Sequence, residues 1–195
     1  AGTIEALEVK ERELAERLSG IAARFFRARF ATSLAAEDMV LTDAILRGSP
    51  AVRAGIRVFT LNTGRLHAET LAVLDKVETH YGYTIEQFTP DQEAVENYLK
   101  KNGMNAFYDS VDLRKSCCGI RKVEPLNRAL SHADAWMTGQ RREQAVTRAE
   151  LPFEETDESR GIPKFNPLAD WTEAEVWAYL SRHNVPVNAL HEKGY

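Results

Sequence analysis

Strands and helices alternate along this 195-residue sequence, which predicts an α/β fold with a parallel sheet covered on both faces, a three-layer sandwich. Two further observations support that class. Short β-branched runs end in small, polar or cationic loops, and stretches with apolar residues at helical spacing follow them. With 44% apolar residues the chain can also bury the core of a single domain spanning 1–195.

The elements follow in order. Ile4 to Leu18 is charge-rich with an apolar stripe at Ile4, Leu7, Leu14 and Leu18, which predicts a helix. Arg29 to Leu34 reads as a strand, and Glu37 to Leu46 as a helix burying Met39, Val40, Ala44 and Ile45. Ile56 to Leu61 is a β-branched strand stopped by the turn chemistry of Asn62-Thr63-Gly64. A helix over His67 to Tyr81, a strand over Tyr83 to Phe88 and a helix from Asp91 to Leu99 come next. A helical region around Cys117 and Cys118 runs to about Leu130, and Asp134 to Thr138 is a strand ending at Gly139. The acidic stretch Glu150 to Gly161, poor in apolar residues, reads as a mobile loop or a lid, between which its sequence does not decide. Pro163 to Leu168 is extended. Thr172, with Glu175 three residues on, caps a last helix.

Charge and composition narrow the function. A net charge of −4 offers no global basic field for nucleic acid, and no apolar run reaches the ~20 residues of a membrane span. The charged start does not read as a signal peptide, and two adjacent cysteines bridge poorly. Both observations favour a reducing cytoplasm.

In parallel sheets ligands sit beyond the carboxyl ends of strands. Three segments occupy that position: Ser33 to Asp38, Asn62 to Arg65, and Gly139 to Arg142. The first is either a helix start that receives a phosphate or sulfate, or a plain cap with Glu37 and Asp38 favouring the dipole. The third offers Arg141 and Arg142, either as an anion clamp or as surface charges paired with Glu143 and Glu150. Walker A and G-x-G-x-x-G sequences are absent.

Cys117 and Cys118, the only cysteines, are flanked by Arg114, Lys115, Arg121 and Lys122. In a helix Arg121 and Lys122 would each sit one turn from a thiol, lowering its pKa or offsetting the charge of a thiolate-bound cluster. The alternative is a pair of buried, inert cysteines beside a basic face.

Ser33-Leu34-Ala35-Ala36-Glu37-Asp38, Leu61 to Thr70, Cys117 to Leu126, Trp136 to Arg142 and Lys164 to Leu168 occur in one order, and together they resemble the assimilatory adenylylsulfate reductases. The resemblance covers nearly everything beyond the first helix. It implies the adenine nucleotide alpha-hydrolase (ATP-pyrophosphatase loop) fold, with Ser33 to Asp38 as a modified phosphate loop. It also implies that Cys117 and Cys118 are two of four ligands of a [4Fe-4S] cluster, with Lys122 between the cluster and the sulfate end of the substrate. Ser33, Leu61, Thr63, Gly64 and Gly139 would hold the nucleotide, and Arg121 and Arg141 would contact its anions. In such enzymes a thiolate near the C-terminus attacks the sulfate sulfur, AMP leaves, and thioredoxin reduces the S-sulfocysteine to release sulfite. Members are usually homo-oligomers. Relatives using 3′-phosphoadenylylsulfate typically lack the cysteine pair, so the pair favours adenylylsulfate.

The sequence departs from that pattern in places. A second cysteine pair and the C-terminal nucleophilic cysteine are absent, so the chain reads as the nucleotide-binding body without its catalytic tail. Asn62 stands where relatives have aspartate, and Leu34 and Ala35 where many have glycine or serine. Rival readings are a 3′-phosphoadenylylsulfate reductase, an ATP-pyrophosphatase or adenylyltransferase of the same architecture, and a non-catalytic thiol or metal sensor.

Overall fold

A computed structural model of the chain describes residues 2–90 and 122–193. The predicted helix over Asp91 to Leu99, the cysteine pair and Arg121 lie outside them.

The described residues form a six-stranded sheet with order β3-β2-β1-β4-β6-β5. The strands are β1 (Ala28–Thr32), β2 (Ile56–Leu61), β3 (Glu86–Phe88), β4 (Ala135–Met137), β5 (Glu154–Asp157) and β6 (Ile162–Phe165). All pairs are parallel except β5–β6, where Glu154 faces Phe165 and Asp157 faces Ile162. Strand β1 lies between β2 and β4, so the chain moves outward one way through β3 and then returns to the other side of β1. That reversal of direction opens a crevice at the carboxyl ends of the central strands.

The helices are α1 (Gly2–Arg24), α2 (Ala36–Leu46), α3 (Pro50–Gly55), α4 (Ala68–Tyr81), α5 (Glu124–Ala129) and α6 (Glu173–Arg182). Leu14, Leu18, Met39, Ile45, Val73, Val77 and Val176 from four of them join Phe30, Ile56 and Met137 in the main core. A smaller cluster of Phe59, Ala129, Leu130 and Trp136 packs α5 on the opposite face. The sheet is thus covered on both sides, as alternation of elements demands.

Local chemistry explains the boundaries. Thr172 Oγ1 accepts from the Glu175 amide at 3.1 Å, and Glu175 Oε1 accepts from the Thr172 amide at 2.8 Å, the reciprocal cap predicted for α6. Helix α4 ends at Gly82, whose φ of +62° suits glycine. Strand β1 stops at Thr32 because Leu34 has φ +65°, which no strand residue adopts. Helix α3 was not predicted, although Ser49 caps it through the Val52 amide and Pro50 opens it.

Glu150 to Gly161 is not an unstructured loop. Glu154–Asp157 is the edge strand β5, alternately exposed and half-buried. Its register is fixed by Asp157, whose carboxylate accepts from Trp136 Nε1 at 3.0 Å and Arg160 Nη1 at 2.8 Å. Charged residues on an edge strand discourage pairing with other chains, and they also hide the strand from a reading based on apolar pattern.

The same helices are locked by one buried acid. Asp43, fully buried on α2, accepts from Tyr81 of α4 at 2.7 Å, Tyr179 of α6 at 2.6 Å, and both Arg47 Nε and Nη2 at 2.7 Å. Burial pushes its carboxyl up, but the hydrogen bonds from Arg47, Tyr179 and Tyr81 hold it below the ordinary aspartate range. No helix among the described residues is long and apolar enough to cross a membrane.

Candidate active site

Two cavities meet at the carboxyl end of β1, sharing Ala31 and Ser33. The first, about 290 Å³, is mostly apolar: Leu61, Leu66, Leu126 and Trp136 form its walls, with Thr32, Thr60 and Thr63 as polar points and the exposed Lys122 on its border. The second, about 220 Å³, is polar, lined by Ser33, Glu37, Asp38, Thr138, Gly139, Gln140, Gln144 and Arg148 among others. An apolar cavity of about 290 Å³ beside a polar one of about 220 Å³ has the size and chemistry to take a nucleoside carrying an anionic group. A larger groove of about 690 Å³ lies between the end of α4 and the turn after α6, and none of the three strand-end loops lines it.

The polar cavity is built by the turn from β1 into α2. Thr32 Oγ1 accepts from the Leu34 amide at 3.0 Å, which helps set the positive φ of Leu34. The Asp38 carboxylate accepts from both the Ser33 amide (2.6 Å) and the Ser33 hydroxyl (2.8 Å). Ala35, at the N-cap of α2, supplies no side-chain cap. Burial, opposed by the two Ser33 hydrogen bonds and assisted by Glu37, pushes the Asp38 carboxyl up to about 6.

Gly139 is required by contact rather than by backbone angle. A Cβ built there would collide with Asp38 Oδ1 and stand 3.4 Å from Glu37 Cβ, so a side chain at this position would have to displace the Asp38 carboxylate. Thr138 Oγ1 donates to Asn166 Oδ1 at 2.7 Å and accepts from the Gln140 amide at 3.3 Å, fixing the β4 loop.

The sequence-predicted residues separate into groups. Ser33 borders both cavities, Leu61, Thr63 and Lys122 border the apolar one, and Gly139 the polar one. Gly64, with φ +81°, follows Thr63 in a turn that Asn62 Oδ1 closes on the Gly64 amide at 3.0 Å. Arg141 is not a surface charge: it is 4% exposed, 3.0 Å from Glu37 through Nη2, and donates Nη1 to the Trp171 carbonyl at 3.3 Å. Arg142 Nε donates to the Leu151 carbonyl at 2.7 Å, away from both cavities. Arg121, Cys117 and Cys118 lie outside the described residues.

Arg148, Gln144 and Trp136 were not singled out from the sequence as binding residues. Arg148 reaches the polar cavity from a turn of 3₁₀ helix, its Nη1 donating to Gln144 Oε1 at 2.6 Å, while the same oxygen accepts from the Arg141 amide. Trp136 is the central residue of β4, and a tryptophan within a strand reads first as core. Nothing in the spacing of Gln144 and Arg148 announces a site. Among the described residues no group of three or more His, Cys, Asp or Glu side chains converges as a metal site would require.

Residues 27–195 match the phosphoadenosine phosphosulfate reductase domain. An adenosine 5′-phosphosulfate reductase of Burkholderia cepacia is 62% identical over 97% of this chain and 74% of its own length. The chain belongs to the phosphoadenosine phosphosulfate reductase family. Other reductases of that name, from Allochromatium vinosum and Neisseria meningitidis, are 50% and 52% identical over 98% and 100% of the chain, and 73% and 78% of their own lengths. A solved phosphoadenylyl-sulfate reductase of Candida auris, in a phosphate complex, is similar with TM-score 0.78 at 30% identity, covering 93% of this chain and 85% of that one. An NAD synthetase of Campylobacter jejuni superposes with TM-score 0.61 at 11% identity, over 95% of this chain and 78% of that one, a likeness of fold alone. The family fold is therefore the adenine nucleotide alpha-hydrolase type expected from the sequence.

Proposed function

We propose that this chain binds adenylylsulfate for reduction to sulfite and AMP in assimilatory sulfate reduction, with a dithiol reductant of the thioredoxin class, in the cytoplasm. The observation that carries the reading is the junction of the two cavities at Ser33. Adenine lies in the apolar cavity between Leu61, Leu66, Leu126 and Trp136. The phosphosulfate turns into the polar one, toward the first turn of α2 and Arg148. The relatives at 50% to 62% identity are named as adenosine 5′-phosphosulfate reductases, which supports the substrate without a 3′-phosphate.

In this reading Ser33, Leu61, Thr63, Gly64 and Gly139 shape the nucleotide site. Lys122 would reach from the border of the apolar cavity toward the junction at Ser33 where the sulfate end enters, and Arg121 would supply a second cation, as the family resemblance implies. Arg141 acts on the site through Glu37, whose helix turn it holds. Cys117 and Cys118 would ligate iron of a [4Fe-4S] cluster, which would supply an electrostatic field. Two thiolates are half of the donor set such a cluster takes, and the contacts proposed for the nucleotide come from other residues.

Calorimetric titration tests the reading. Adenylylsulfate and AMP are expected to compete for one site, with no Mg²⁺-dependent cleavage of ATP. ATP cleavage without sulfonucleotide binding would replace it with an ATP-pyrophosphatase.

A further inference from the structure

We propose that Asp38 is a positioning residue that binds a proton when the substrate's anion enters the polar cavity, so that adenylylsulfate affinity is linked to pH. The inference rests on the proposed function and deepens it.

The geometry is that of a loop already closed on an internal anion. Both donors of Ser33 point at Asp38 Oδ2, and the Ala35 amide donates in turn to Ser33 Oγ at 3.3 Å. Asp38 is 7% exposed, and its other oxygen, Oδ1, is walled by Gly139. An anion at the start of α2 therefore enters a cavity that this carboxylate also borders.

Among the described residues no cation is paired with Asp38, whose hydrogen-bond donors are the Ser33 amide and hydroxyl. Glu37, on the same helix turn, repels it. Arg141, from the β4 loop, is committed to Glu37 and also lies 3.6 Å from Glu143. Arg148 borders the cavity from the 3₁₀ turn, while Thr32 and Ser33 from β1 and its loop, and Thr138 and Gln140 from the β4 side, bring no charge. Burial has already brought the carboxyl up to about 6, within reach of a neutral solution. A phosphosulfate beside it adds a like charge and raises it further. The proton comes from solvent and goes to Oδ1, the oxygen Ser33 does not engage. Oδ2 of the neutral acid still accepts both Ser33 hydrogen bonds, so the loop keeps its shape with the repulsion removed.

The experiment is the dissociation constant of adenylylsulfate for this chain across neutral pH, beside Asp38→Asn. Adenylylsulfate is the probe because its phosphosulfate does not titrate there, whereas the AMP phosphate does. The wild-type affinity is expected to fall by up to about tenfold per pH unit above about pH 6, and that of Asp38→Asn to stay level. If Asp38→Asn does not fold, calorimetry of the wild type in buffers of different ionisation enthalpy reads the same event. Uptake of close to one proton near pH 7 supports the proposal. Equal slopes in the two proteins, or no proton uptake, would overturn the role of Asp38 while leaving the substrate intact. Failure of both proteins to bind adenylylsulfate at any pH would overturn the substrate reading, and this proposal with it.

Discussion

Arg141 holds Glu37 at 3.0 Å, joining the loop after β4 to the first turn of α2 behind Glu37, which lines the polar cavity. The Arg141 side chain is only 5% exposed, so the pair works as a strut between the two halves of the site. Removing Glu37 leaves the buried guanidinium with only the more distant Glu143, at 3.6 Å, and the Trp171 carbonyl, a poorer set of partners for a buried charge.

Glu37→Ala is accordingly expected to destabilise the fold by roughly 2–4 kcal/mol. Arg141→Ala should weaken AMP and adenylylsulfate binding alike and lower Tm at the same time. Thermal melts beside calorimetry check this. Weakened binding with an unchanged Tm would make Arg141 a direct ligand contact instead.

Lys122→Ala should weaken adenylylsulfate more than AMP, because the contact assigned to Lys122 is at the sulfate end. Paired titrations decide it, and equal losses for the two nucleotides would remove Lys122 from that role.

Gly139→Ala should reduce nucleotide affinity by about tenfold or more, ~1.4 kcal/mol, since its Cβ would displace Asp38. A variant that binds as the wild type does would show that the two loops can part without cost.

Asp43 sets a pH dependence of stability. Its folded-state pKa lies below the unfolded value, so its contribution is present above the unfolded value and is lost as pH falls through the folded one. Asp43→Ala should cost roughly 3–5 kcal/mol at neutral pH, because Arg47, Tyr81 and Tyr179 lose a common acceptor. The loss should shrink in strong acid. Denaturant melts at neutral and acidic pH would show it, and a penalty independent of pH would contradict the charge-based account.

The sequence made the framework legible where pattern and chemistry coincide. The stripe of Ile4, Leu7, Leu14 and Leu18 marked α1, although Ile4 itself is exposed, and Thr172 with Glu175 marked the start of α6. Ser33, Thr63 and Gly139 were found because each ends a strand, where a parallel sheet opens. What escaped depends on tertiary contact. Strand β5 has no apolar alternation to reveal it and is held by Asp157 against Trp136. The adjacent pair Arg141-Arg142 reads as one clamp, yet one arginine turns inward to Glu37 and the other to the Leu151 carbonyl. Asp38 looked like a dipole partner for α2, and only the fold shows it accepting from Ser33 and walled by Gly139.

The most direct measurement is sulfite release from adenylylsulfate by the protein, purified without oxygen and supplied with reduced thioredoxin. The account predicts sulfite and AMP in equal amounts, with adenylylsulfate preferred over its 3′-phosphorylated form. Folded protein that releases no sulfite from adenylylsulfate, or that prefers the 3′-phosphorylated substrate, would contradict it.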